Sequence, residues 1–367
     1  MLDARSCRLF AFNDSARHAW DLIADGRSGE ALVNEFAAWW EISASRARDD
    51  LSSIVEQWRR LGLLDGGEGV AAAPRLAPAT LAAAETPAFR RPPPPDWTCT
   101  IQGKTIQFAI ADDVATTIRS LFRHLETPGA RPQTRFEIAA ARDGEWLLTE
   151  NGIERIRTGD PGQLAGSLQQ AVLELIYPDA VWLGLIHGAA VARHGRGFGL
   201  AGPSGSGKST LAAGLLSSGF DYLSDDMIAL SAPDGEIMPW PLPLSIKPGS
   251  LDVLTARHPE LAHAPAYLTK GLGARLLVPP DNAWDRAPVK LQALVFPRFA
   301  VGATAELRRI STFEAIERLL ADRIWLGHPI TEERVMSFLA WLNGIAAYAI
   351  TYENLDAGVQ LIGGISD

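Results

Sequence analysis

The sequence feature that most constrains the fold of this chain is a glycine-rich segment between an apolar run and a helical pattern. Gly202 to Ser209 reads Gly-Pro-Ser-Gly-Ser-Gly-Lys-Ser, which matches G-x-x-x-x-G-K-[ST]. Apolar residues enter it as a strand would, and Leu211 to Leu216 leave it at helical spacing. Glycines let backbone N–H groups turn toward a phosphate, and a helix N-terminus adds partial positive charge. The alternative, a Gly/Ser-rich linker, would lack both flanking elements.

This motif predicts a nucleoside triphosphate site, with ATP as the nucleotide and Mg²⁺ as its metal. Lys208 can reach the β- and γ-phosphates, and the hydroxyl of Ser209 suits Mg²⁺. The predicted phosphate-binding residues are Gly202, Pro203, Ser204, Gly205, Ser206, Gly207, Lys208, Ser209 and Thr210.

Composition bounds the class of protein. The 367 residues are 47% hydrophobic and 21% charged, as expected of a globular protein with a sizeable core. No apolar run approaches the ~18 residues of a membrane span, and the N-terminus has no signal-peptide pattern, which predicts a cytoplasmic protein without a membrane partner. Cys7 and Cys99 are too few for a disulfide framework or a zinc site. A net charge of −9 argues against nucleic acid as a partner.

Composition also divides the chain. Residues 1–65 are predicted to form a small helical domain, and residues 66–96, rich in alanine and proline, are predicted to form an extended linker. Strand and helix patterns interleave over residues 97–367, which predicts an α/β domain. Within it, residues 97–180 supply N-terminal strands and helices, and residues 181–367 supply the nucleotide-binding and catalytic core.

The N-terminal segment carries three apolar sets at helical spacing, separated by polar turns. Asn13, Asp14 and Ser15 are candidate N-caps of the first helix, which Gly26 is predicted to close. The third set begins at Leu51. Three short helices of this kind are typical of a small winged-helix or helix-turn-helix module.

Two aspartates follow the glycine-rich segment closely. Asp225 and Asp226 come sixteen and seventeen positions after Ser209, which places them at the end of the next strand, facing the phosphates. One carboxylate there can coordinate Mg²⁺ while the other accepts a proton from an attacking hydroxyl. The alternative is a solvated Asp-Asp turn, which is common on protein surfaces.

His187 is the third candidate. It lies fifteen residues before Gly202, within an apolar run from Val181 to Val191 that reads as a strand. From its chemistry alone, this histidine is equally compatible with a satisfied core residue and with a catalytic one.

Together these three elements resemble HPr kinase/phosphorylase and its serine-kinase relatives, with matching spacing over residues 185–230. The resemblance implies a P-loop kinase domain of the phosphoenolpyruvate-carboxykinase type. It also implies that Lys208 binds phosphate, Ser209 and Asp226 bind the metal, Asp225 is the general base, and His187 supports that base.

The C-terminal half resembles HPr-kinase-related kinases that occur with ribosomally made peptides, including lasso peptides. Pro243 to Lys247 and Tyr348 to Tyr352 are similar to segments of those kinases. The resemblance makes Lys247 a candidate phosphate contact, with Lys270 and Arg275 as weaker candidates. The glycine-rich signature that HPr kinases carry after the aspartates is absent, so a phosphorylase activity is not implied.

The N-terminal segment resembles a PqqD-type peptide recognition element. The resemblance rests on Phe12 to Ala16, Trp20 to Ile23, and Asp50 to Leu64. It implies a winged-helix domain that binds the leader of a precursor peptide as an added edge strand. The alternative is a DNA-binding winged helix. Residues 1–65, however, carry eight arginines, no lysine and eleven acidic residues, so their net charge is negative, whereas DNA binding requires a positive surface.

These inferences predict an ATP-dependent kinase that phosphorylates a serine or threonine hydroxyl of a ribosomally synthesised precursor peptide. Two alternatives stay open. The first is a nucleotide-dependent peptide-binding or chaperone ATPase. The second is a small-molecule kinase of carboxykinase ancestry. HPr kinases are hexamers, so the resemblance is also compatible with a homo-oligomer.

Overall fold

The structure is a computed structural model that describes residues 2–3, 8–9, 14–40, 42–60, 97–141, 144–159, 163–269, 272–322, 324–327 and 330–366. The chain divides into two compact units, Met1–Ala73 and Pro74–Asp367, and each has an apolar core of its own. Helices are interspersed among groups of strands along the second unit, so the protein is mixed α/β, as the sequence predicts. The predicted linker over residues 66–96 lies outside the described residues.

The N-terminal unit consists of a short antiparallel strand pair followed by three helices. Its elements are β1 (Leu2–Asp3), β2 (Arg8–Leu9), α1 (Asp14–Ala24), α2 (Gly29–Trp40) and α3 (Ala44–Arg60). All three helices contribute to its buried core, which contains Ala19, Val33, Phe36, Ala37, Ala47, Leu51 and Trp58. The three apolar sets in the sequence are therefore the buried faces of three helices.

Local signals fix the ends of these helices. Gly26 follows α1 and has a φ of 83°, so it closes the helix as predicted. The third helix starts well before Leu51, because the hydroxyl of Ser43 accepts a hydrogen bond from the N–H of Arg46 and caps it. Asn13, a candidate cap of α1, lies outside the described residues.

The second unit contains a five-stranded, a ten-stranded and a three-stranded sheet. Its strands are β3 (Trp97–Ile101), β4 (Lys104–Ile110), β5 (Thr134–Ala140), β6 (Trp146–Glu150), β7 (Ile153–Thr158), β8 (Trp182–Ile186), β9 (Gly188–Arg193), β10 (Arg196–Ala201), β11 (Asp221–Ser224), β12 (Ile228–Ser231), β13 (Glu236–Met238), β14 (Leu244–Ile246), β15 (Ala266–Thr269), β16 (Leu272–Leu277), β17 (Val289–Phe299), β18 (Glu306–Arg309), β19 (Ile324–Trp325) and β20 (Ala346–Tyr352). Its helices are α4 (Asp112–Phe122), α5 (Leu164–Ile176), α6 (Lys208–Leu216), α7 (Leu251–Thr255), α8 (Thr312–Ala321), α9 (Glu332–Asn343) and α10 (Leu355–Ser366). Among the described residues, no helix combines the length and the apolar character that crossing a membrane requires.

The five-stranded sheet runs in the order β3-β4-β5-β6-β7 and is covered by α4 and α5. Phe108 of β4 stacks on Phe122 of α4 with ring centroids 5.1 Å apart, and both side chains are fully buried. Leu168 of α5 joins the same core. Burial of this apolar surface, aromatic and aliphatic, stabilises the packing of the two helices on the sheet.

The glycine-rich segment follows β10, an interior strand of the ten-stranded sheet. β10 pairs antiparallel with β9 and parallel with β17, and β17 in turn pairs parallel with β20. α6 follows β10 and packs against α10 in a second core, to which Leu211 and Leu355 contribute. In open α/β sheets, ligands bind outside the carboxyl ends of the parallel strands. The carboxyl end of β10 is Ala201, the residue before the glycine-rich segment.

The structure corrects the expectation that one strand runs from Val181 to Val191. β8 ends at Ile186 and β9 begins at Gly188, and the two strands have different partners. β8 pairs with β12 and β19, whereas β9 pairs with β10 and β11. His187 is the residue between them. The apolar run hides this break because both strands are buried.

Close packing explains why glycine follows His187. Gly188 lies opposite Ala201, and a Cβ at Gly188 would stand 2.5 Å from the carbonyl oxygen of Leu200 and 2.9 Å from Cδ1 of Ile228. The first of these atoms belongs to the backbone and cannot rotate away. Only glycine allows the two strands to pair so closely beside the loop.

We expect Gly188→Ala to lower the free energy of unfolding by about 1–3 kcal/mol, because the added methyl group must push β9 away from β10. The matched control is Gly363→Ala in α10, where a Cβ meets no atom within 4 Å and the stability changes by less than about 1 kcal/mol. Urea denaturation followed by tryptophan fluorescence measures both. Equal midpoints for the two variants would contradict the packing argument.

Candidate functional site

The glycine-rich loop joins β10 to α6. Gly202, Gly205 and Gly207 have φ angles of 138°, 92° and 102°, a region in which other residues are strained. Lys208 is the first residue of α6, so the loop ends at a helix N-terminus with unpaired N–H groups. The strand, loop and helix expected around this motif are all present.

The carboxyl ends of two neighbouring strands, β17 and β20, contact the glycine-rich loop. A Cβ at Gly207 would lie 2.7 Å from the hydroxyl oxygen of Tyr352 and 3.8 Å from Cβ of Phe299. The N–H of Phe299 donates a hydrogen bond to the carbonyl of Ser206 at 3.4 Å. The carboxyl ends of β17 and β20 therefore fix the loop, and the third glycine of the motif is required by contact as well as by its φ angle.

Lys208 is buried inside the loop. Its Nζ donates hydrogen bonds to the carbonyl oxygens of Gly202 and Pro203, the latter at 3.2 Å. Burial lowers the pKa of the ammonium group, and three nearby carboxylates act in the opposite direction. These carboxylates belong to Asp322, Asp225 and Asp226. The lysine is thus a pre-positioned cation at the centre of an acidic cluster.

Asp225 follows β11 directly and is only 3% exposed. Its Oδ1 accepts a hydrogen bond from Oγ of Ser209 at 3.0 Å, and its Oδ2 accepts one from the N–H of Ser245 at 3.2 Å. Burial and, secondly, the charge of Asp226 raise the pKa of this carboxyl to about 7. Asp225 therefore lies at the end of the strand that follows α6, as predicted, and it contacts Ser209, the last residue of the glycine-rich motif.

Asp226 occupies a different environment from its neighbour. It has a left-handed φ of 63°, and its side chain is 55% exposed. The turn therefore buries one carboxylate of the pair and directs the other toward solvent. Oδ1 of Asp226 lies 3.9 Å from Nε2 of His187. The histidine that was expected to support Asp225 is placed beside Asp226.

Asp322 is a residue of this site that the sequence reasoning missed. Its Oδ2 lies 2.7 Å from Nδ1 of His187, and both side chains are about seven-eighths buried. This contact engages Nδ1 of the imidazole ring, and the other ring nitrogen, Nε2, faces Asp226. Asp322 follows α8, and two residues later Ile324 pairs with Ile186. This pairing brings the carboxylate to the histidine from 135 residues away.

The other loop hydroxyls have distinct surroundings. Oγ of Ser204 accepts a hydrogen bond from Nζ of Lys247 at 3.0 Å, so that lysine does lie at the loop. Oγ1 of Thr210 lies 2.7 Å from Oγ of Ser250. Oγ of Ser206 is buried and has no hydrogen-bond partner among the described residues. A buried hydroxyl of this kind is an open position for a ligand oxygen.

Of the two weaker candidates for a phosphate contact, only Arg275 lies among the described residues. Arg275 lies on β16 and its Nη1 donates to the carbonyl oxygens of Leu261 and Ala262, the latter at 2.6 Å. Its guanidinium group is therefore engaged by the backbone of a neighbouring turn. Lys270 lies outside the described residues.

The oxygen atoms at the loop fit a hard cation. Ser209, Asp225 and Asp226 offer a hydroxyl and two carboxylates, the ligand types that Mg²⁺ prefers. Across the described ranges, no group of three or more histidine, cysteine and acidic side chains could hold a metal by itself. Mg²⁺ in nucleotide sites has few protein ligands, because phosphate oxygens and water complete its shell.

The N-terminal residues match a known family. Residues 1–64 match the family model described as Coenzyme PQQ synthesis protein D (PqqD). The chain begins with a PqqD domain. The predicted PqqD resemblance is thereby confirmed, and it places the protein in the context of peptide modification. A search of curated proteins finds no match to the chain.

The buried carboxyl of Asp225 makes stability depend on pH. The pKa of this group is 3.8 when unfolded and about 7 when folded, so between these values the folded state keeps a proton that the unfolded state has lost. Stability therefore falls as pH rises through this window, by up to about 1.4 kcal/mol per pH unit. The Asp225→Asn variant has no titratable carboxyl group at this position, so its stability does not show this dependence on pH.

We expect the free energy of unfolding of Asp225→Asn, relative to that of the wild type, to increase between about pH 4 and 7 and then to level off. Urea denaturation at a series of pH values measures the difference. The exposed Asp356→Asn is the matched control for loss of one carboxylate. A difference between Asp225→Asn and wild type that is constant over this range would show that burial does not raise the pKa.

Proposed function

We propose that this chain is an ATP-dependent, Mg²⁺-requiring kinase that phosphorylates a serine or threonine hydroxyl of a ribosomally synthesised precursor peptide. The observation that carries the proposal is the cluster of Lys208, Ser209 and Asp225 at the glycine-rich loop. Such a cluster combines a buried cation, a metal-binding hydroxyl and a carboxylate that titrates near neutral pH. These are the groups that phosphoryl transfer to a hydroxyl requires.

The strand-loop-helix unit and its neighbours also support the proposed kinase fold. His187 precedes β9, and Asp225 follows β11, the next strand in the sheet. The three elements on which the resemblance to HPr kinase rests thus meet at one edge of one sheet. A P-loop kinase domain of the phosphoenolpyruvate-carboxykinase type is the fold that this arrangement fits best.

Lys208 and the loop would bind the nucleotide phosphates. The ammonium group of Lys208 has three protons, and two of them are accounted for by loop carbonyls. The third is available to a phosphate oxygen, as is the unpartnered hydroxyl of Ser206. Lys247 adds a second cation at Ser204. Fixed cations and loop N–H groups stabilise the charge that spreads over the transferred phosphoryl group.

Ser209 and Asp226 would hold Mg²⁺, which neutralises charge on the β- and γ-phosphates. Asp225 is assigned as the general base because a base is most efficient when its pKa lies near the working pH. It takes the proton of the attacking serine or threonine hydroxyl while the oxygen of that hydroxyl bonds to the γ-phosphorus. ADP leaves with the electron pair of the broken P–O bond.

His187 and Asp322 would position the solvent-facing carboxylate. The 2.7 Å contact with Asp322 fixes the imidazole ring, and the other ring nitrogen is then held toward Asp226. Asp322 is therefore a positioning residue, and it acts through His187.

The PqqD domain supplies the proposed substrate class. PqqD domains bind precursor peptides, and this one is part of the same chain as the loop. Linking a leader-binding domain to a kinase raises the effective concentration of the bound peptide at the active site without any new contact. A small-molecule kinase would gain nothing from such a domain.

Lys208→Ala should lower phosphate transfer by about 100-fold or more, because no other described cation is buried at the loop. The assay follows transfer of labelled phosphate from ATP to a candidate precursor peptide, and mass spectrometry identifies the modified residue. Lys104→Ala, which removes an exposed lysine of β4, is the matched control. Hydrolysis of ATP without any peptide phosphorylation would favour the ATPase alternative, and unchanged transfer by Lys208→Ala would overturn the assignment of the loop.

Removal of residues 1–65 should raise the KM for a full-length precursor peptide while leaving the Kd for ATP unchanged, because leader binding and nucleotide binding are assigned to different units. A peptide without its leader is the control substrate, and its KM should not change. Titration calorimetry of ATP checks that the remaining chain is folded. An unchanged KM for the full-length precursor would refute the role given to the PqqD domain.

A further inference from the structure

An exposed aromatic ring lies beside the glycine-rich loop and has no role so far. Phe299, the last residue of β17, is 50% exposed, although the strand is buried from Ala293 to Pro297. Val301, two residues later, is 88% exposed. A solvent-facing apolar patch next to a predicted ligand site indicates a contact with that ligand.

The backbone of Phe299 is tied to the loop, so its ring has a defined place. Its N–H donates to the carbonyl of Ser206, and its Cβ lies 3.8 Å from the position of a Cβ at Gly207. The ring also contacts the buried ring of Tyr352 edge to face, with centroids 6.1 Å apart. One side of the phenyl group is thus supported by protein, while half of its surface stays open.

The sheet order sets the direction in which a bound nucleotide would run. The order β11-β9-β10-β17 puts Asp225 and His187 on one side of β10, and Phe299 on the other. In a kinase the transferred phosphate must face the general base. The opposite end of the nucleotide, which carries the base, then points toward β17.

We propose that the exposed part of the Phe299 ring is the stacking platform for the purine base of the nucleotide. This inference rests on the proposed function and names the part of the site that holds the nucleoside. Aromatic rings and purines stack through their faces, and one such contact strengthens binding by roughly tenfold. A stacking platform without base-edge hydrogen bonds would accept both adenine and guanine nucleotides.

The competing occupant of this patch is an apolar side chain of the substrate peptide. The position of Phe299 argues against it. The ring is attached to the loop residues on the side away from Asp225, whereas the hydroxyl to be phosphorylated must approach the base. A phosphate group is not the expected occupant, because the phenyl ring carries no charge.

Inorganic triphosphate distinguishes the contributions that the two ends of the nucleotide make to binding, because it has the phosphates of ATP and lacks the base. We expect Phe299→Ala to raise the Kd for ATP, measured by titration calorimetry with Mg²⁺ on the full chain, by about tenfold. The Kd for triphosphate should stay within about twofold of wild type, which also shows that the loop is intact. Phe299→Trp keeps an aromatic face and should bind ATP within about threefold of wild type.

Phe313→Ala is the matched control, since Phe313 is 47% exposed on α8, and it should change neither Kd. An unchanged Kd for ATP in Phe299→Ala overturns the inference. An equal loss of affinity for ATP and for triphosphate also overturns it, because the ring would then only support the loop. An effect confined to the KM for peptide assigns the patch to the substrate. Wild-type protein that binds neither ATP nor triphosphate overturns the proposed function itself.

Discussion

The rest of the site depends on the burial of Asp225. Its two carboxylate oxygens receive hydrogen bonds from Ser209 on α6 and from Ser245 on β14, so one side chain joins a helix and a second sheet to the end of β11. A buried carboxylate that lost these donors would cost several kcal/mol. The same burial raises the pKa of the group, and it thereby couples the stability of the domain to a property that the proposed reaction uses.

Two contacts between distant parts of the chain complete the site. Asp322 reaches His187 because β19 pairs with β8, and Phe299 reaches the loop because β17 pairs with β10. Both residues stand at the ends of elements whose interiors pack in the core. The strand pairings that build the core therefore also set the positions of these side chains around the loop.

Features with a local signal could be predicted from the sequence, and features set by strand pairing could not. The loop, α6 and the position of Asp225 follow from glycine spacing and from an apolar run of strand length. The break at His187 was missed because a residue between two buried strands leaves the apolar pattern unchanged. Asp322 was missed because nothing in the residues around it distinguishes it from an ordinary carboxylate at a helix end, and only the pairing of Ile324 with Ile186 brings it to the histidine.

The charge balance around Lys208 limits how the proposed reaction can begin. Three carboxylates, of Asp225, Asp226 and Asp322, act on this one buried cation. A free triphosphate would enter such a cluster against Coulomb repulsion that the low dielectric of a buried site increases. Entry as a Mg²⁺ complex removes two of its negative charges, and protonation of Asp225 near neutral pH removes one more from the protein. The buried aspartate would thus favour nucleotide binding when protonated and act as a base only after it has lost that proton.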